Sequence, residues 1–270
     1  MTRSAAVFRV PGAVLDTELS DEGGHPVVQL HGLTSSRLRD RLLALDLGRG
    51  LSGTRLLRYD ARGHGRSTGR TVPQDYVWSN LAEDLLALLD HFFPGEKVHG
   101  VGPSMGCATL LHAAVKDPER FSGLTLMVPP TAWETRVAKA GIYRAQADLV
   151  EREGLAGFLD AGRAAAPVPA QAAAPATIPQ IDPDLMPSVL RGAALANFPE
   201  RDDVAKIDVP STILAWTDDP AHPLSTAEAL VQLMPDATLR VAATPTQLRQ
   251  WPQVLARDVA ASASRVTAHL

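Results

Sequence analysis

Ser104 is the residue best placed in this chain to do covalent chemistry. It stands in Gly102-Pro103-Ser104-Met105-Gly106, after the apolar run 98–101 and before a small-residue helical pattern that begins at Met105. A serine in a G-x-S-x-G frame occupies a sharp strand-to-helix turn. The glycines leave room for the crowded backbone, and the hydroxyl is pushed out toward a substrate. The Met105 N–H opens the helix and can point at a developing oxyanion. A nucleophile beside an electrophilic donor is the chemistry of acyl transfer. The overlapping run Gly100-Val101-Gly102-Pro103-Ser104-Met105-Gly106 also matches a loose dinucleotide-binding loop. The next strand, however, ends in Met127-Val128-Pro129-Pro130, where such a loop needs a ribose-binding Asp or Glu, which argues against an oxidoreductase.

The elements around Ser104 follow from hydrophobic periodicity. Residues 5–18 alternate apolar and polar around Pro11-Gly12, the pattern of a hairpin. Short apolar runs at 26–30, 54–59, 98–101 and 121–128 predict buried strands, and 37–47, 75–93 and 105–115 carry helical spacing. The helix at 75–93 places Leu81, Leu85, Leu88 and Leu89 on one face and stops at Pro94-Gly95. This strand–helix alternation predicts a mostly parallel sheet covered by helices on both faces. Residues 133–159 are helical in pattern, but prolines at 167, 169, 175, 179, 183 and 187 forbid a continuous helix through 164–187. Alternation resumes with strands at 211–217 and 238–242 and helices at 225–234 and 247–262. The expected organisation is a core of residues 1–130 and 206–270 with an inserted helical cap at 131–205; an inter-domain linker is the other reading of that insertion.

Composition bounds the function classes. With 270 residues the chain can bury a substantial core, and 45% hydrophobic with 21% charged residues is ordinary globular usage. A formal charge of −4 without a basic run argues against nucleic-acid binding. Neither a secretion signal nor a membrane span is legible, so a cytoplasmic protein is expected, and the arginine- and alanine-rich usage suggests a bacterial gene. The lone Cys107 can form no internal disulfide and no metal site by itself. No metal and no cofactor is expected, only a small-molecule substrate; oligomeric state is not legible.

Four blocks, in this order and at this spacing, resemble the α/β-hydrolase superfamily along nearly the whole chain. They are His31-Gly32-Leu33-Thr34-Ser35 after a strand; Tyr59-Asp60-Ala61-Arg62-Gly63-His64-Gly65-Arg66-Ser67; the turn at Ser104; and Trp216-Thr217-Asp218-Asp219-Pro220 at a late strand end. The resemblance implies an eight-stranded α/β-hydrolase sheet with a cap, and an oxyanion hole from the N–H groups of Leu33 and Met105. His31 is expected to order its turn and border the substrate. Trp133 is expected either to line the pocket beneath the cap or to pack a cap helix. Asp60 and Arg62 are expected to pair within a loop-locking network that also includes His64. Cys107, His99 and His112 are expected to be structural. The family's acid falls on Asp219 rather than Asp218, counting back from Pro220.

The histidine departs from the family's pattern. The loop after the last strand, where the resemblance implies a Gly-His pair, reads Ala242-Ala243-Thr244-Pro245-Thr246-Gln247. Beyond Asp219 only His222 and the penultimate His269 remain, and His269 is expected to fray. His222, held between prolines in Asp219-Pro220-Ala221-His222-Pro223, is either a relocated general base for Ser104 or a plain loop histidine. General-base assistance is worth about 100- to 10,000-fold, so the two readings imply very different enzymes. The leading expectation is a serine hydrolase cleaving a small ester, thioester or lactone through a Ser104 acyl-enzyme. The alternatives are a lyase, cyclase or rearrangement catalyst of secondary metabolism on the same fold, and a degenerate ligand-binding protein.

Overall fold

The computed structural model describes residues 2–163 and 167–268, so His269 lies outside the described residues. The chain opens with a hairpin, β1 (Thr2–Val10) and β2 (Ala13–Asp21), turned through Gly12 at φ 80°. It continues through β3 (Pro26–Gln29), α1 (Arg37–Leu42), β4 (Arg55–Tyr59), α2 (Trp78–Phe92), β5 (Val98–Pro103), α3 (Met105–Lys116) and β6 (Phe121–Met127). Helices α4 (Glu134–Gly162), α5 (Met186–Leu195) and α6 (Arg201–Val204) occupy the stretch before β7 (Ser211–Trp216). The last elements are α7 (Leu224–Leu233), β8 (Ala237–Ala242), α8 (Pro245–Leu248) and α9 (Trp251–Ala268).

The strands form one eight-stranded sheet in the order β1-β2-β4-β3-β5-β6-β7-β8. β2 pairs antiparallel with both β1 and β4, and every later pairing is parallel. The pleat sends neighbouring residues to opposite faces. Val28, Leu57, Leu124 and Ile213 join α2, α3 and α7 on one side, whereas Val27, Leu56, Val101 and Leu214 join α8 and α9 on the other. Both faces are therefore covered. Between β3 and β5 the order of crossovers reverses, and the carboxyl ends of strands at such a switch point form the crevice where α/β sheets bind ligands. The loops after β3, β5, β6 and β7 all emerge there.

Three helices differ in extent from the sequence expectation. The helix of 37–47 stops at Leu42, because Ala44 takes φ 58° and the Asp40 carbonyl accepts from both Leu45 and Asp46 N–H. The helix of 75–93 begins at Trp78, preceded by a separate 3-10 turn at Pro73–Tyr76. The pattern at 247–262 splits into α8 and α9: Pro252 cannot continue a helix but fits the first turn of a new one. Helix α4 bends at Gly154, at φ 67°. Among the described residues no helix is long and apolar enough to cross a membrane.

Candidate active site

Ser104 connects β5 to α3 at φ 52°, ψ −109°, a region non-glycine residues rarely enter. Two hydrogen bonds hold it there: its N–H donates to Met127 C=O at 2.9 Å, and its C=O accepts from Ala108 N–H at 3.0 Å. The flanking glycines are required by close approach. A Cβ on Gly106 would lie 2.8 Å from Leu30 Cβ and 3.1 Å from His31 C=O, and one on Gly102 would lie 2.9 Å from Leu30 Cβ. The helix thus presses against the strand end, while the Ser104 side chain stays partly exposed. Thr34, Val128, Trp133 and Asp218 also have positive φ, so unusual backbone gathers in the loops around Ser104.

His222 reaches Ser104 from the loop after β7. Its Nε2 is 2.8 Å from Ser104 Oγ, and its Nδ1 is 2.7 Å from Asp219 Oδ2. The carboxylate fixes the tautomer: Nδ1–H donates to Asp219, which leaves the Nε2 lone pair facing the serine hydroxyl. Asp219 is held by two further donors, Trp216 Nε1–H to Oδ2 at 2.9 Å and Ala221 N–H to Oδ1 at 2.8 Å. Burial opposes its ionisation, but the His222 ring, Ala221 N–H and Trp216 N–H outweigh that cost and bring its pKa to about 2. Acid and base share one turn, closed by His222 N–H donating to Asp219 C=O at 3.1 Å. Trp216 also packs edge-on against His222, with ring centroids 5.9 Å apart, and stacks on Trp251. Residue type alone assigns Trp216 no role; its one signal in the sequence is an indole three residues before the acid. Asp218 is exposed, with φ 60°. The loop after β8, where the family's pattern implies a histidine, is closed on itself by Ala243 N–H donating to Gln247 Oε1 at 2.7 Å.

The loop after β3 abuts Ser104 from the other side: a Cβ on Gly32 would be 3.8 Å from Ser104 Cβ. This brings Leu33 beside the nucleophile turn, opposite Met105 at the start of α3, whose first N–H groups have no intrahelical acceptor. Asp40 anchors the loop by accepting from the Ser35 hydroxyl, and burial pushes its carboxyl up to about 7.

The geometry also places the other expected residues. The His31 ring lies buried among the loops. It is 3% exposed, its Nδ1–H donates to Gly32 C=O at 2.8 Å, and its Nε2 accepts from Ala61 N–H at 2.9 Å, so both nitrogens serve the loops. Asp60 and Arg62 do not pair: Asp60 binds Arg37, and Arg62 makes a bidentate pair with Asp84 at 2.6 and 2.7 Å. Trp133 turns toward the segment before α6. Its Nε1–H donates to Pro199 C=O at 3.0 Å, its ring meets Phe198 edge-on, and the Arg201 guanidinium lies over it at 4.1 Å. These are the contacts expected of a packing residue. His64, pushed down to about 3 by burial, bridges Arg62 C=O and Thr34 N–H. His99 lies between Ser262 and Thr125, His112 meets Asn197 C=O, and Cys107 is buried.

Comparison with known proteins agrees with this architecture. A model of the alpha/beta hydrolase fold matches residues 25–146, which span the first crossovers and the Ser104 turn. The chain is 29% identical over 190 residues to 3-oxoadipate enol-lactonase 2 of Acinetobacter baylyi, covering 68% of each chain. Among solved structures it resembles a thermophilic esterase from Thermogutta terrifontis, with TM-score 0.74 and 22% identity over 97% of this chain and 100% of the other. It also resembles the enol-lactonase from Burkholderia xenovorans, with TM-score 0.65 and 21% identity over 96% of this chain and 100% of the other. The matching model over residues 25–146, the eight-stranded sheet and these structural neighbours together show that the chain has the alpha/beta hydrolase fold.

Proposed function

We propose that this protein is a serine hydrolase of small esters, thioesters or lactones that works through a Ser104 acyl-enzyme. The observation that carries the reading is the His222 imidazole, 2.8 Å from Ser104 Oγ on one side and 2.7 Å from Asp219 on the other. Ser104 Oγ attacks the substrate carbonyl carbon as its proton passes to His222 Nε2. The carbonyl oxygen becomes an oxyanion and takes the N–H groups of Leu33 and Met105. Collapse breaks the bond to the leaving group, which receives the proton from His222. Water, giving a proton to His222, then attacks the acyl-Ser104 ester, releases the acid and restores the hydroxyl. Asp219 keeps the ring in the accepting tautomer and stabilises the imidazolium without taking its proton.

Residues 131–205, between β6 and β7, are the cap of this reading, and residues 1–130 and 206–270 are its core. The esterase and enol-lactonase names of the relatives support the substrate class. The lyase, cyclase and ligand-binding alternatives drew on the missing late histidine. With an imidazole against Ser104, no specific observation favours them. A fluorophosphonate probe is expected to label the wild type and to spare Ser104→Ala; equal labelling of both proteins would overturn the reading.

A further inference from the structure

Helix α4 carries Arg136, Lys139 and Tyr143 at spacings of three and four, hence on one face. The segment leading into that helix is tied to the acid–base turn. Thr131 N–H donates to Ala221 C=O at 3.1 Å just before the helix begins. Arg136, buried, donates to Ala196 C=O at 2.9 Å, to Ala193 C=O and to the Thr131 hydroxyl, with its guanidinium over the Trp78 ring at 4.2 Å. The same guanidinium stands 5.1 Å from the centroid of the Tyr143 ring. Tyr143 and Leu33 pack against the same apolar cluster, and Tyr143 and Lys139 both lie within electrostatic reach of Asp219. The two side chains therefore overlook the interval between the Leu33 loop and the Asp219 turn, where Ser104 sits.

Lys139 is unlike the other lysines of the chain. Lys97 pairs with Glu119, Lys116 with Glu83 and Lys206 with Asp203, all well exposed. Among the described residues Lys139 makes neither an ion pair nor a hydrogen bond; its Nζ stands 5.2 Å from the Tyr143 ring centroid. It is half-buried, and burial lowers its pKa. The nearby negative charge, Asp219, is already committed to His222, Trp216 and Ala221. A partly desolvated ammonium beside a phenol ring, close to the acid–base turn, is matched by an anion that arrives with the substrate.

We propose that Lys139 and the Tyr143 hydroxyl bind a carboxylate carried by the substrate away from the bond that is cleaved, so that the preferred substrates are anionic esters or lactones. The position of that carboxylate relative to the scissile bond rests on the reading of Ser104 as nucleophile. A single negative charge fits better than a phosphate, because the Arg136 guanidinium is spent on the carbonyls of Ala193 and Ala196 and offers no free fork.

The test compares p-nitrophenyl monoesters of succinic and glutaric acid with p-nitrophenyl butyrate and valerate, which replace the distal carboxylate by an alkyl end. The wild type is expected to favour the anionic ester in kcat/KM by about ten- to a hundredfold, the scale of one charge-assisted hydrogen bond. Lys139→Met is expected to collapse that ratio toward one through KM for the anionic ester, and Lys139→Arg to restore most of it. In parallel, glutarate is expected to raise the Tm of Ser104→Ala but not of the Ser104→Ala, Lys139→Met double variant, whereas glutaramide raises neither. This binding arm reads the carboxylate site even if no ester is hydrolysed, so failure of the serine-hydrolase reading is seen separately. A wild-type ratio near one, a ratio unmoved by Lys139→Met, or equal glutarate shifts in both variants would overturn the proposal.

Discussion

Replacing Asp219 by asparagine tests the acid–base turn with almost no change in shape. The carboxylate accepts three hydrogen bonds: from His222 Nδ1–H and Trp216 Nε1–H on Oδ2, and from Ala221 N–H on Oδ1. An amide offers one oxygen. If that oxygen faces Ala221, the NH2 group meets the indole N–H and accepts nothing from His222, which must move its proton to Nε2 and can no longer accept from Ser104. If the oxygen faces His222, the NH2 group opposes Ala221 N–H instead. Either arrangement leaves a donor without an acceptor, at a cost of about 1–3 kcal/mol. The tautomer switch in a comparable triad lowers kcat by about 10,000-fold, so a fall of about 1,000- to 10,000-fold is expected here. Stability should change as well. The ionised Asp219 contributes about 1–2 kcal/mol after solvent screening, present above the usual carboxylate range and lost as pH falls toward about 2. Asp219→Asn should therefore lower Tm at pH 7 and flatten its acid-side decline. The assays are steady-state hydrolysis of a p-nitrophenyl ester from pH 5 to 9 and thermal melts over pH 2 to 7. Wild-type kcat in Asp219→Asn would refute the reasoning.

Other expectations follow from single contacts. Trp216→Phe removes one of the two donors on Asp219 Oδ2 and keeps the ring; kcat/KM should fall about fivefold, near 1 kcal/mol, and an unchanged value would show that the indole N–H is not needed. Gly106→Ala forces a methyl to 2.8 Å from Leu30 Cβ, so unfolding free energy should drop by about 1–3 kcal/mol and Tm by about 3–10 °C, read by calorimetry. Asp40, buried with a carboxyl pKa near 7, keeps its proton in the folded state where the unfolded chain has lost it. Wild-type stability should decline between about pH 4 and 7 for this reason, and Asp40→Asn should remove that part of the slope in pH-dependent melts.

Much of this arrangement was legible from residue types and spacing, and the rest depended on contacts between distant segments. The central strands were legible because their apolar runs are buried on both faces, and the turn at Ser104 because only glycine tolerates the approach of Leu30 at Gly102 and Gly106. His222 drew attention by lying three residues from Asp219, a local relation; its placement against Ser104 joins segments 118 residues apart. Where two readings were open, register and packing decided. Asp60 chose Arg37 over the neighbouring Arg62 because Arg62 points at Asp84 on α2, a partner no local spacing announces. His31 was legible as a loop-ordering residue but not as one with both nitrogens spent. Lys139 carried no signal at all: a lysine in a helix reads as solvated until the helix is known to face the acid–base turn.

The shared turn of Asp219 and His222 has a mechanical consequence. In an enzyme whose acid and imidazole hang from separate strands, two gaps vary as the sheet breathes. Here both groups travel as one rigid piece braced by Pro220 and Pro223, and only the serine-to-imidazole gap is free to change, across the single intervening strand β6. On the proposed reading, warming should thus degrade turnover along one coordinate, while the segment from β8 onward touches the turn through the Trp251 ring stacked on Trp216.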